Sequence, residues 1–282
     1  SQNETQKYLT QGLIDRAVTR DLDWGVDIDI TGFENKKMYV WIEAVLGYVT
    51  ATMKYCEENN LDWKNYWKND EATIYMVHGK DNITFHSIIL PALLLSMESN
   101  FKLPDKMVAC EYLNVNNEKI SKSKGNGITI LDLVNEFDSD SIRYYFLLNG
   151  PEKKDSNFSI EEFKAVHNSD LVNKFGNFVN RTLKFKGLEK IEVGKGKVDK
   201  EIKEKTIETY KQVSKYIEKL EFKNAIQEML SLVEFGNKYY DAKKPWVLFK
   251  ENSEEFNETM YNCVYIIANL ANLFEPIMPK TS

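Results

Sequence analysis

The spacing of hydrophobic and polar residues along this chain changes character near Gly150-Pro151. Before that point it reads as strands alternating with helices. Gln2 to Ala17 is polar with scattered apolar positions and fits a helix or a strap. Behind Asp23-Trp24-Gly25, the alternation Val26-Asp27-Ile28-Asp29-Ile30 predicts an edge strand. Met38-Tyr39-Val40-Trp41-Ile42 is an unbroken β-branched and aromatic run and predicts a buried strand. Val45, Tyr48, Val49, Thr52 and Tyr55 then recur at helical spacing. The unit repeats: Thr73 to Val77 predicts a second strand ending in His78-Gly79-Lys80-Asp81-Asn82. Ile83 to Met97 predicts an apolar helix that Pro91 should kink, and Met107 to Tyr112 a third strand. Strand–helix–strand–helix–strand is the pattern of a parallel sheet with crossover helices. Ligands of such sheets sit beyond the carboxyl ends of the strands. That edge carries Trp41, Glu43, Gly79, Lys80 and Asp81, with Tyr48 and His86 on the helices that follow.

After Gly150-Pro151 every apolar stripe is helical. Leu171, Phe175, Phe178, Val179 and Leu183 form one, and Ile202, Thr206, Tyr210, Val213, Ile217 and Leu220 another. Ala225, Ile226, Met229, Leu230 and Val233 make a third, and Phe256, Met260, Cys263, Val264, Ile267, Leu270 and Phe274 a fourth. Gly187 to Lys197 reads as a Gly/Lys linker. Short connections between such helices predict an antiparallel bundle. The fold class expected is α/β plus all-α: a partial Rossmann-like parallel sheet followed by an α-helical bundle.

At 282 residues the chain has room for about two cores. No run of about 18 apolar residues predicts a membrane span, and no basic, apolar leader opens the chain. Cys56, Cys110 and Cys263 are few and far apart, which fits a reducing compartment and gives neither a disulfide framework nor zinc spacing; His78, His86 and His167 add no metal spacing. A cytoplasmic location is the expectation. The formal net charge of −6 argues against an indiscriminate nucleic-acid binder and leaves room for a local basic stripe. Neither membrane nor DNA is an expected partner, and oligomeric state is not legible.

Between sheet and bundle lies Lys119-Ile120-Ser121-Lys122-Ser123-Lys124-Gly125-Asn126, behind a predicted turn at Asn116-Asn117. Two lysines three apart, spaced by small hydroxyls and followed by glycine, suit a loop that closes on phosphates. Ammonium groups supply point charge, and small residues let backbone N–H groups approach the oxygens. The plain alternative is a solvated charged turn.

Taken together, these stretches resemble the C-terminal two-thirds of the methionyl-tRNA synthetase family of class I aminoacyl-tRNA synthetases. Lys119 to Ser123 resembles the class I signature loop, with Ile120 where Met is common. Val40 to Tyr48 is similar to the methionine-pocket segment, and Gly79 to His86 to the segment facing the adenylate. Asn177 to Arg181, and Pro245-Trp246, resemble the anticodon-reading positions. The other signature, a His-Ile-Gly-His-like turn, and the zinc-bearing insertion are absent from these residues; the resemblance places both upstream of Ser1, so a truncated chain without zinc ligands is expected. It implies three segments: 1–110, the C-terminal half of the nucleotide-binding domain; 111–155, a connecting segment with the loop; and 156–282, the anticodon-binding domain.

The activity implied is ATP-dependent formation of methionyl-adenylate and transfer of methionine to the 3′ end of its tRNA, with Mg²⁺ accompanying ATP. This chain alone is expected to be inactive. Lys122 and secondarily Lys119 would serve catalysis, and Gly79, Asp81, Lys119 and Lys122 would bind ATP. Trp41, Ala44, Val45, Tyr48 and His86 would line the methionine pocket, with Tyr48 or His86 near the sulfur. Many family members have Pro where Val45 stands. Asn177, Arg181 and Trp246 would read the anticodon of tRNA(Met), and Asn173, Asn177 and Arg181 would share one helical face. Arg20 matches a family arginine whose carboxylate lies upstream and should therefore lack its partner. Plain alternatives stand beside these: core packing for Trp41 and Tyr48, a structural role for His86, helix capping for Asp81 and Asn82, and a solvated polar face with a bundle-capping Trp246. Rival readings are another class I synthetase, for valine, isoleucine, leucine or cysteine, and a non-catalytic tRNA-binding module.

Overall fold

A computed structural model of the chain describes residues 2–97, 100–121, 125, 127–190 and 196–282. It divides into two compact units, Ser1–Tyr112 and Leu113–Ser282.

The first unit opens with α1 (Gln2–Gln11), then β1 (Thr19–Arg20) antiparallel to β2 (Lys37–Met38). Val26 to Ile30 adds a single bridge, Asp27 to Lys37, in place of the expected edge strand. The run from Met38 to Ile42 is a strand only at its first residue. Its remainder turns into α2 (Val40–Glu43), a 3₁₀ turn at Ala44–Leu46 and α3 (Gly47–Glu58). The physical reason is one-sided burial: Val45 and Val49 enter the core, while Val40, Trp41 and Tyr48 stay exposed. A buried strand would cover both faces; here helical spacing separates a core face from an open one, and packing overrides β propensity.

After α4 (Lys64–Trp67), β3 (Tyr75–Gly79) lies parallel to β4 (Lys106–Cys110), in register from Tyr75↔Lys106 to Gly79↔Cys110. The crossover holds a 3₁₀ turn at Lys80–Asn82, a π-type turn at Phe85–Ile89 and α5 (Leu90–Ser96). Pro91, expected to kink this helix, falls in the first turn of α5, behind the π-type turn. Wider winding there accommodates a residue without an N–H. The core is Val45, Val49, Trp67, Met76, Leu90 and Leu94, and Trp67 Nε1 donates to Thr52 Oγ1 at 3.0 Å. Arg20, expected to lack a partner, lies 4.0 Å over the Tyr39 ring and donates to the Ala17 and Thr19 carbonyls.

In the second unit β5 (Leu113–Val115) and β6 (Glu118–Lys119) form a hairpin. Asn116 and Asn117, at φ 51° and 64°, supply the left-handed backbone that a two-residue turn needs. α6 (Ile130–Glu136) starts at a capping box between Thr129 and Asp132, and Asp138 caps α7 (Ser139–Asn149). β7 (Ser156–Phe158) then pairs parallel with β5. The bundle follows: α8 (Ile160–Val166), a π-type stretch at His167–Gly176, α9 (Asn177–Leu183), α10 (Lys200–Glu218), α11 (Phe222–Lys243), α12 (Pro245–Glu251) and α13 (Ser253–Phe274). Its centre holds Phe178, Ile226, Met229, Met260, Ile266 and Phe274. α7 is stapled to the far end of the unit: Arg143 donates to the Pro276 and Ile277 carbonyls at 2.7 Å, and buried Asp140 accepts from the Lys280 and Thr281 amides.

Candidate functional site

Of the five expected pocket residues, Trp41, Ala44 and Tyr48 are exposed in the first unit and Val45 and His86 are buried. Trp41 is 54% exposed and lies 6.1 Å from the Phe85 ring. Tyr48, one helical face along, meets Nε2 of buried His86 at 2.8 Å. Nδ1 of His86 faces the Asn82 carbonyl at 2.8 Å. A carbonyl only accepts, so in the neutral ring Nδ1 carries the hydrogen and Nε2 accepts from the Tyr48 hydroxyl. Ala44 is exposed. Val45 differs: it is 6% exposed and belongs to the core cluster.

A second histidine completes the group. His78 stacks on His86 with ring centroids 4.2 Å apart and planes 9° apart, and its Nδ1 faces the Gly79 carbonyl at 3.0 Å. Burial pushes the His78 pKa down; the carbonyl bond opposes this, and the neighbouring His86 adds to the lowering. Its position inside β3, close to the helix that carries His86, was the signal for this stack.

Beyond β3, Gly79 has φ −73° and an added Cβ would meet no protein atom within 4 Å. Neither backbone nor packing therefore demands glycine there. Asp81 is exposed and receives the Tyr112 hydroxyl at 2.5 Å. The residues that open the 3₁₀ and π-type turns, Gly79 and Thr84, have no side-chain cap, and Asp81 makes no capping bond. Lys80 pairs with Glu111 at 2.7 Å and lies 4.0 Å over the Tyr112 ring. Glu111 and Tyr112 were missed as site residues. The parallel register, with Cys110 opposite Gly79, is what carries them to this edge.

In the second unit Lys119 is exposed at the end of the β5–β6 hairpin, opposite Asn114. Ser121 accepts from the Gly125 amide at 3.1 Å through its carbonyl. Lys122, the residue expected to carry most of the catalysis, lies outside the described residues, as do Ser123 and Lys124.

On the bundle, Arg181 donates to Asp241 at 2.7 Å and to the Asn237 carbonyl and amide oxygens at 2.9 Å, and stands 4.2 Å over the Tyr240 ring. It faces a hollow of about 530 Å³ whose walls include Lys184, Lys186, Tyr240, Trp246 and Lys250. Trp246 is 47% exposed, 6.1 Å from Tyr240. Lys244, at φ 48°, turns the chain between α11 and α12, and Pro245 starts the new helix. Asn177 is exposed but does not line this hollow; Asn180 does. Asn173 falls in the π-type stretch that ends at Gly176, while Asn177 and Arg181 lie on α9. Two other hollows, of about 550 and 540 Å³, match this one in size, but Lys184 is the one lysine or arginine lining the first and Arg16 the one lining the second. Chemistry, not volume, separates it from them. Among the described residues no group of three His, Cys, Asp or Glu is placed to hold a metal ion, and no helix is long and apolar enough to cross a membrane.

A parallel strand pair with a carboxylate at its carboxyl edge, a Lys-Ile-Ser-Lys-Ser loop and a helical bundle with a basic, aromatic hollow are parts of a class I aminoacyl-tRNA synthetase. The family described as tRNA synthetases class I (M) matches residues 1–183, and the anticodon-binding domain of tRNA ligase matches residues 199–282. The chain belongs to the first of these families, the tRNA synthetases class I (M). It is 47% identical over 281 residues to a methionine–tRNA ligase of Bacillus anthracis (strain A0248) and to one of Bacillus cereus (strain 03BB102), covering 99% of this chain and 51% of each relative. Methionyl-tRNA synthetase of Mycobacterium tuberculosis, bound by methionyl-adenylate, is similar in structure, with TM-score 0.85 and 27% identity over 99% of this chain and 55% of that one. The chain therefore spans about half the length of the curated relatives it matches, less than the two-thirds expected.

Proposed function

We propose that the protein containing this chain is a methionine–tRNA ligase. The observation that carries this is the Tyr48–His86 pair beside exposed Trp41: a flexible thioether calls for aromatic walls, and the hydrogen-bonded pair fixes them. In the reaction, methionine's carboxylate attacks the α-phosphate of ATP, releasing pyrophosphate, and a ribose hydroxyl of the tRNA's terminal adenosine then attacks the acyl carbon of the adenylate, releasing AMP. The chain contributes positioning and charge. Asp81 accepts from the ribose, and Gly79, which nothing in the protein requires, admits close approach of the nucleoside. Lys122, with Lys119, neutralises charge that moves onto pyrophosphate, and Mg²⁺ arrives with ATP. Segments 1–110, 111–155 and 156–282 act as nucleotide-binding half, loop-bearing connector and anticodon-binding domain. Val45 supports the pocket from the core side, and Asn177, Arg181 and Trp246 read the anticodon.

Methionine-dependent ATP–pyrophosphate exchange by the full-length protein tests this; exchange driven by valine, isoleucine, leucine or cysteine instead would overturn it. The 282-residue chain alone should form no adenylate, because stabilisation by two cooperating signatures collapses when one is missing. A second reading is a tRNA-binding module without chemistry, for which the basic, aromatic hollow beside Trp246 speaks. It predicts tRNA retention on a filter without ATP and no exchange activity in the full-length protein.

A further inference from the structure

The bracket around Asp81 carries an inference that rests on the reading of this edge as the nucleoside site. We propose that Tyr112 is a positioning residue that holds the Asp81 carboxylate ready for a hydroxyl of a ribose. Asp81 sits on a short 3₁₀ turn and is exposed, so unaided its carboxylate would sample several rotamers. The Tyr112 hydroxyl gives its one hydrogen to Oδ1 at 2.5 Å. That bond fixes the carboxylate plane and leaves Oδ2 to accept from a ligand.

The tyrosine is itself held. It follows β4 by two residues, and the parallel register sets it beside the turn after β3. Lys80, between Gly79 and Asp81 in sequence, reaches over the Tyr112 ring at 4.0 Å while Glu111 anchors its ammonium at 2.7 Å. Glu111, Lys80, Tyr112 and Asp81 thus form one chain of contacts, from a carboxylate that faces protein to one that is open. An acceptor ordered beforehand loses less freedom when the sugar arrives. Its product is preference for a ribose over a sugar lacking a hydroxyl, since the fixed oxygen is left unpaired when that hydroxyl is missing.

The test is made in the full-length synthetase with ATP, 2′-deoxyATP and 3′-deoxyATP in pyrophosphate exchange. Tyr112→Phe keeps the ring and its contact with Lys80 but removes the hydroxyl. The expected result is a roughly tenfold rise in KM for ATP, the weight of one charge-assisted hydrogen bond. The preference for ATP over at least one deoxy analogue should fall by a similar factor, with kcat changed less than about twofold and methionine KM unmoved. Loss of packing alone would weaken all three nucleotides alike and leave the preference standing. In an Asp81→Ala background, Tyr112→Phe should have no further effect on that preference, because the two act as one unit. If Asp81→Ala abolishes the preference while Tyr112→Phe spares it, or if the two effects add, Tyr112 does not position Asp81, and the nucleoside reading survives. If the wild type shows no preference and Asp81→Ala changes nothing, the nucleoside reading fails and takes this proposal with it.

Discussion

The His78 ring is the most exacting residue of the first unit. Both stacked histidines commit Nδ1 to a backbone carbonyl, but Nε2 of His78 is buried without a partner among the described residues. An imidazolium there would bury a charge against a second imidazole. Its folded pKa therefore lies below the ordinary value of 6.5, and the unfolded chain takes up a proton that the folded chain refuses. The stability this site provides is full above that value and is lost as pH falls through the folded one. His78→Gln removes the titration. Urea unfolding at about pH 7.5 and about pH 5.5 should show a smaller loss of stability for the variant than for the wild type; an equal loss would show that His78 titrates normally. The stack also marks how far single residues can be read from sequence. Tyr48 and His86 are 38 positions apart, and their meeting was legible only through family resemblance. Tyr112 was legible in principle: once two strands are parallel and in register, the residues just past both ends must share an edge.

Among the elements, α9 and α11 meet with no room to spare at one glycine. A Cβ built on Gly236 would stand 2.6 Å from two ring atoms of Phe178, which is fully buried and has nowhere to retreat. Overpacking of this kind costs about 1–3 kcal/mol, and alanine's helix propensity returns about 1 kcal/mol of it. At the middle of that range the net cost is about 1 kcal/mol, so Gly236→Ala should lower the melting midpoint of the second unit by about 2–4 °C, and a higher midpoint would contradict the packing. Elements were legible where amphipathic spacing was regular, as in α10, α11 and α13. They failed where burial is one-sided. Val40-Trp41-Ile42 has strand composition yet forms a helix, with Val45 and Val49 packed inward while Val40 and Trp41 stay exposed. The winding of His167–Gly176 left no signal in spacing at all.

At the scale of the whole molecule, the hollow proposed to read the anticodon lies in the second unit and the residues proposed to hold methionine and the nucleoside lie in the first, so they should respond to different substitutions. Trp246 offers an exposed indole beside Lys184, Lys186 and Lys250. Trp246→Ala in the full-length enzyme should cost about 1–3 kcal/mol in discrimination between a CAU-anticodon tRNA and an altered one, as lost base stacking does, with pyrophosphate exchange intact. Unchanged discrimination by a folded variant would return Trp246 to bundle packing. The staple between α7 and residues 276–281 has a consequence for how the protein is made. Asp140 is buried and takes its amide donors from Lys280 and Thr281, and a buried carboxylate without donors is strongly disfavoured. A chain emerging from the ribosome carries Asp140 into the open about 140 residues before those amides exist, at a synthesis rate of about 5–20 residues per second. For those seconds the second unit cannot close. Its early helices must wait, uncommitted and with apolar faces uncovered, until residues 276–281 have been translated.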